Sequence, residues 1–163
     1  MRVVCISDTH GMHEQIKVPD GDLLIFAGDL CNAGYLSEVV AFNSWLATLP
    51  HRHKIVIAGN HDICLEKNPY AAKLITNATY LQDTSCMVIG HGYEYKVYGS
   101  PFSPDFFDWA FMLPRGEPLR KKWAKIPDDT DILVTHGPPA RFGGITLGGE
   151  DAGCHDLLSR VAK

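Results

Sequence analysis

Four short polar motifs stand at the ends of apolar runs. Val3-Val4-Cys5-Ile6 leads into Asp8-Thr9-His10, and Leu23-Leu24-Ile25-Phe26-Ala27 leads into Gly28-Asp29. Ile55-Val56-Ile57-Ala58 leads into Gly59-Asn60-His61-Asp62, and Ile132-Leu133-Val134 leads into Thr135-His136-Gly137. Carboxylate, imidazole and amide groups are the donors that hard and borderline divalent cations take. Singly the motifs say little. Asp8-x-His10 is commonly a turn, a Gly-Asp pair a helix cap or loop aspartate, and Asn60-His61-Asp62 an Asx-turn. Their shared setting carries the weight. Each follows a buried-strand signature, and in open α/β sheets the carboxyl ends of strands are where ligands bind. Convergence of these groups predicts metal-assisted hydrolysis, of a phosphoester before other substrates.

Spacing adds roles. Asp8 and His10 are two apart, which on a strand puts both side chains on one side. Asn60 offers an amide oxygen and the adjacent His61 a proton donor.

The scaffold for these groups is read from periodicity. A chain of 163 residues suits one domain, 1–163. Its 45% apolar and 21% charged composition excludes extensive disorder. Residues 2–7, 22–28 and 54–58 read as buried strands. Residues 35–49 place Leu36, Val39, Val40, Phe42, Leu46 and Leu49 on one helical face, which Pro50 ends. Strand, strand, helix, strand predicts right-handed crossovers in an α/β sheet.

Asn68-Pro69 reads as an N-cap and first residue of a helix running to Thr76. The period then changes, and 79–81, 87–89 and 93–98 read as short antiparallel strands. Residues 117–125 suit a helix, 131–135 a strand, and 154–161 a helix with Leu157, Leu158 and Val161 inward. Between these lie an aromatic loop, 101–113, and a glycine-rich loop, 138–153. Core packing is the first expectation for Phe102, Phe106, Phe107, Trp109 and Phe111, and stacking on a base the second. The glycine pairs Gly143-Gly144 and Gly148-Gly149 match neither G-x-G-x-x-G nor a P-loop, so that loop reads as a flexible neighbour of the site.

Several classes drop out. The formal charge is −4 and the only basic run is Arg120-Lys121-Lys122, so a general nucleic-acid surface is not expected. The five cysteines are odd in number and lack C-x-x-C spacing, which suits free thiols in a reducing cytoplasm. The apolar run before Asp8 is too short for a signal peptide, and no stretch is long enough for a membrane span.

In this order the motifs resemble the calcineurin-like metallophosphoesterase superfamily, whose blocks run D-x-H, G-D, G-N-H-D/E, H and finally G-H-x-H. Tyr98-Gly99-Ser100-Pro101 and the aromatic loop through Trp109 resemble its metallophosphoesterase-domain branch. The resemblance covers essentially the whole chain. It implies an α/β fold of two packed mixed β-sheets flanked by helices, αββα, truncated at the C-terminal end. It implies two divalent ions of manganese, iron or zinc. Asp8, His10 and Asp29 would hold one, and Asp29, Asn60 and His136 the other, with Asp29 as the bridge. A metal-bound hydroxide would attack phosphorus. His61 would stabilise the phosphoryl group or protonate the leaving oxygen without ligating. The implied substrate is a small nucleotide-like phosphodiester.

Two departures stand out. Asn32 occupies the position where many members carry an aspartate that orients the catalytic histidine. The G-H-x-H block does not occur, which leaves each ion three protein ligands, with His91 and His155 the nearest substitutes. An open sheet edge and self-association into a homo-oligomer are the expected consequences. The alternative reading is a non-enzymatic nucleotide- or protein-binding module with a degenerate centre. A metal-dependent amide hydrolase is a weaker third, since H-E-x-x-H is missing.

Overall fold

The three apolar runs that carry the first motifs lie side by side. In the computed structural model, which describes residues 1–162, β1 (Val3–Ile6), β2 (Leu23–Ala27), β3 (His53–Ile57) and β4 (Thr79–Tyr80) line up in chain order. All three pairings are parallel, with Val3 opposite Leu23 and Leu23 opposite His53. Parallel strands covered on both faces read as unbroken apolar runs. β2 does so, burying Leu23, Leu24, Ile25 and Phe26.

The second sheet is mixed. β5 (Thr84–Gly90) and β6 (Tyr93–Ser100) form an antiparallel hairpin, and β9 (Ile132–Thr135) joins β6 in parallel. The hairpin turns on His91-Gly92 with φ of 53° and 83°, the two left-handed residues of a type I′ turn. A small ribbon, β7 (Ser103–Pro104) with β8 (Met112–Leu113), brackets the aromatic loop.

Three apolar clusters set the layers. α1 (Leu36–Thr48) lays Val39, Phe42, Trp45 and Leu46 on Phe26 and Val56 of the first sheet. Leu23, Ile25, Ile55 and Ile57 meet Leu81, Val88, Val97 and Val134 between the sheets. α3 (Glu117–Trp123) and α4 (His155–Val161) cover the far face with Leu119, Trp123 and Leu157 against Tyr98. Each such fully buried side chain contributes about 1.5–3 kcal/mol. The result is the αββα order that the resemblance implied, except that the first sheet is parallel throughout and not mixed.

Three element expectations change. In α1 it is Trp45 that joins the buried face, while Leu36 and Val40 are exposed. The strip at 39, 42, 45 and 46 follows the helical repeat. The helix expected after Asn68 is one 3-10 turn, Ala71–Leu74. The α-helix lies before it, α2 (Ile63–Lys67), and the Asn68 N–H closes it by donating to Cys64 O at 3.0 Å. The Asn68 side chain does accept from Tyr70 N at 3.0 Å, so one residue ends α2 and starts the next turn. Pro69 lacks the N–H that would let α2 continue. In α4, Leu157 is buried but Val161 is exposed. No described helix is long and apolar enough to cross a membrane.

Candidate metal centre

Parallel pairing brings the carboxyl ends of β1, β2 and β3 to one edge, and β9 ends there too. The first two chains leave their strands together. Asp8 N donates to Gly28 O at 3.0 Å, His10 N to Asp29 O at 3.1 Å, and Gly11 N to Leu30 O at 3.0 Å. Asp8, His10 and Asp29 turn into the left-handed region, with φ of 56°, 43° and 57°. Asp and His tolerate that region better than most residues, at about 1–3 kcal/mol each. Two glycines make room. A Cβ on Gly28 would lie 2.7 Å from His136 Nδ1, and one on Gly59 would lie 2.3 Å from Asp29 Oδ1.

Asp29 is buried at the centre. Its Oδ1 accepts from His61 N at 2.8 Å and stands 3.5 Å from His136 Nε2. Its Oδ2 stands 3.6 Å from His10 Nε2. Ligand atoms of Asp8, Asp29 and His136 lie within 4.8 Å of one another, as do those of His10, Asp29 and His61. Asp29 belongs to both groups. Asn60 joins the first, its Oδ1 at 2.9 Å from His136 Nε2. All six residues singled out in the sequence therefore meet. Asp8 falls in the group with His136, and His10 in the group with His61. β1 ends at Ile6, so both residues lie beyond the strand, in left-handed backbone.

The donor set fits cations. His136 Nδ1 lies 2.8 Å from Ala27 O, and its Nε2 faces Asn60 Oδ1. A neutral imidazole carries one N–H. With that proton on Nδ1 donating to the carbonyl, the Nε2 lone pair confronts two oxygen lone pairs, a conflict that a cation removes. The Nδ1–carbonyl bond is the kind that orients metal-ligating histidines. Two ligands about 2.1 Å from one ion stand about 3.0–3.4 Å apart at octahedral or tetrahedral angles. The histidine–Asp29 separations of 3.5 and 3.6 Å are close to that.

The family model described as calcineurin-like phosphoesterase matches residues 1–160. This chain belongs to the calcineurin-like phosphoesterase family. That family uses a dinuclear divalent metal centre for phosphoester hydrolysis. The chain is 41% identical to human metallophosphoesterase domain-containing protein 1 over 99% of its own length and 56% of the human protein. The mouse protein of the same name gives the same figures. UPF0046 protein C25E10.12 of Caenorhabditis elegans is 38% identical over 100% of this chain and 64% of that protein. The chain thus spans little more than half the length of these relatives.

Two positioning residues of this calcineurin-like domain had no role in the sequence reading. Asp62 is fully buried and accepts from the backbone of Asp29 at 3.0 Å, Leu30 at 3.4 Å, Cys31 at 2.8 Å and Gly59 at 2.8 Å. It fastens the loop after β2 to the loop after β3. Burial pushes its carboxyl up, the Cys31 and Gly59 N–H groups pull it down, and the Asp29 charge adds to the upward push. Its place as the last residue of Asn60-His61-Asp62 was the available signal.

The second is Glu38. Its Oε1 accepts from Asn32 N and its Oε2 from Tyr35 N, both at 2.8 Å. That fixes the loop whose Asn32 carbonyl lies 2.9 Å from His61 Nδ1. The histidine is therefore oriented through a backbone carbonyl. Asn32 contributes its main-chain carbonyl to that contact. With the proton on Nδ1, His61 Nε2 is left free.

His61 lies edge-on to His10 at 4.5 Å and to Trp109 at 4.6 Å between ring centroids. The aromatic loop departs from the core-packing expectation. Phe111 is buried and packs on Phe102, but Phe106, Phe107 and Trp109 are exposed by 61%, 65% and 41%. The substitute histidines do not arrive. His91 sits at the hairpin tip beside Asp22, and His155 opens α4. A cleft of about 600 Å³ beside Trp123, Ile126, Asp156 and Arg160 contains none of the site residues.

Proposed function

We propose that this chain is a metal-dependent phosphodiesterase acting on a small nucleotide-like phosphoester. The observation that carries the reading is the Asp29 carboxylate, with one oxygen toward His10 and the other toward His136. A carboxylate shared by two ligand groups is what a pair of cations needs as a bridge. Asp8, Asn60 and His136 would hold one ion with Asp29, and His10 would hold the other with it. Asp, His and Asn donors suit manganese, iron or zinc. Two such cations supply charge neutralisation at the phosphate and an activated water at neutral pH.

The chain's own residues do the rest. The Asn32 carbonyl holds the His61 Nδ1 proton, so Nε2 takes or gives the proton at the phosphoryl or leaving oxygen. The Asp29 oxygens stay in place through the His61 N–H, and Ala27 O keeps His136 turned inward. Five free cysteines, three of them buried, support cytoplasmic residence.

The test is turnover of bis-p-nitrophenyl phosphate with added manganese, together with elemental analysis. Asp29→Ala abolishes turnover and lowers bound metal. His61→Ala lowers turnover by about 10²-fold or more, the usual share of general-acid help, while metal content holds. Loss of metal in His61→Ala makes His61 a ligand and sinks its assigned role. Nucleotide binding without turnover in the unmodified chain sinks the hydrolase reading and leaves a binding module.

A further inference from the structure

The three exposed rings of the aromatic loop carry an inference beyond the hydrolysis itself. Both ends of the loop are fixed. Ser103 N donates to Phe111 O and Asp105 N to Leu113 O, each at 3.0 Å. Ala110 N donates to Asn60 O at 3.1 Å, which ties the loop to a proposed metal ligand. Phe111 N donates to Glu66 Oε1 at 2.7 Å, which ties it to α2. Between these anchors Phe106 packs edge to face on Phe107 and Trp109, and Phe107 lies tilted against Trp109, with centroids 5.0, 5.4 and 5.6 Å apart. Such rings carry a large apolar area, and a fold gains by hiding it. Here the same loop hides Phe111 and leaves its three neighbours in solvent.

Their position names an occupant. Trp109 touches His61, so the aromatic face begins where the reacting phosphate ends. The loop also carries Asp105 and Asp108. Their charge repels a phosphate or an anionic lipid surface and tolerates an uncharged ring. A substrate straddling His61 thus has one consistent orientation, with its phosphate among the cation ligands and its planar group on the rings. We infer that Phe106, Phe107 and Trp109 form the subsite that receives the nucleobase of the phosphoester. The inference rests on the hydrolase reading for its setting, and it assigns the loop a selective role that the metal centre does not require.

The test compares two substrates with the same leaving group, the p-nitrophenyl esters of thymidine monophosphate and of methyl phosphate, in the full chain with manganese. The wild type prefers the thymidine ester. The Phe106→Ala/Phe107→Ala double variant touches neither His61 nor Asn60, and its kcat/KM ratio between the two esters falls about tenfold, in line with base–aromatic stacking. A ratio unchanged from wild type overturns the subsite. The exposed Tyr93→Ala at the hairpin tip is the control and keeps the wild-type ratio. If the wild type turns over neither ester, the hydrolase reading fails and fluorescence decides the subsite. Trp45 and Trp123 are buried, so quenching by adenosine monophosphate reports on Trp109. Saturable quenching that the double variant loses supports the subsite, and quenching that is absent or survives in the variant overturns it.

Discussion

The two sides of His61 are built on opposite terms. Toward Asp29 the chain is held against its own preferences. Three non-glycine residues sit at positive φ, a buried carboxylate gathers four backbone N–H groups, and two glycines leave no room for a methyl group. Toward Trp109 the backbone is clamped at its ends, but the rings of Phe106, Phe107 and Trp109 are exposed. Tolerance to change lies on the aromatic side. A cation site must hold its donors to within a fraction of an ångström, and strain is the structural cost of that accuracy. A stacking face accepts many rings at many offsets, so it needs area and not precision.

Gly59→Ala strikes the rigid side hardest. The added carbon would lie 2.3 Å from Asp29 Oδ1, 2.6 Å from its backbone N and 2.7 Å from His136 Cε1. All three are fixed, so the bridging carboxylate must move. A displacement of about 1 Å costs roughly 10²-fold in rate, and forcing a carbon into a packed site costs about 1–3 kcal/mol. Activity assay and elemental analysis should show both turnover and metal largely lost. On the other side, the Phe106→Ala/Phe107→Ala variant should change unfolding stability by no more than about 0.5 kcal/mol, as exposed substitutions do. Equal losses on the two sides would erase the distinction.

Asp62→Ala comes next. Deleting this carboxylate leaves buried N–H groups of Asp29, Cys31 and Gly59 without their acceptor. Each such loss costs about 1–3 kcal/mol, so a drop of about 3 kcal/mol or more is expected. Urea unfolding should show a lower midpoint at unchanged slope. A small change would mean that the loops after β2 and β3 are held by something other than this contact.

The same contrast explains what the sequence could tell. Asp29, Asn60 and His136 were legible because parallel strands place their ends together, and an apolar run followed by a polar ligand reveals a strand end. The α/β sheet and the short antiparallel strands after Thr76 followed from periodicity, while the αββα layering came from the family resemblance. What stayed hidden was local backbone geometry. Asp8 and His10 lie in left-handed backbone beyond Ile6, which strand periodicity does not describe. The part played by Asn32 depends on its carbonyl, and a residue type says nothing about its main chain. Trp109 and its neighbours were misassigned because composition cannot distinguish a ring in a core from a ring held out of it.

The smallest expected effect probes the support behind His61. Glu38 touches no proposed ligand, and it holds the Asn32 and Tyr35 N–H groups. Burial pushes its carboxyl up, but the N–H donors of Tyr35, Asn32 and Ala33 outweigh burial and hold it below the ordinary value of 4.5. A depressed folded value stabilises the fold above the unfolded value, and that contribution is lost as the pH falls through the folded one. Glu38→Gln should therefore cost about 0.5–1.5 kcal/mol at neutral pH, the range of a helix-start contact. The gap to wild type should close as the pH drops below 4.5, which unfolding curves across that range would reveal. Turnover should fall only a few-fold, because Asn32 loses a brace while its carbonyl stays. If turnover falls as far as it does in His61→Ala, the loop and not the histidine would be the fragile part, and the rigid side of the site would extend to α1.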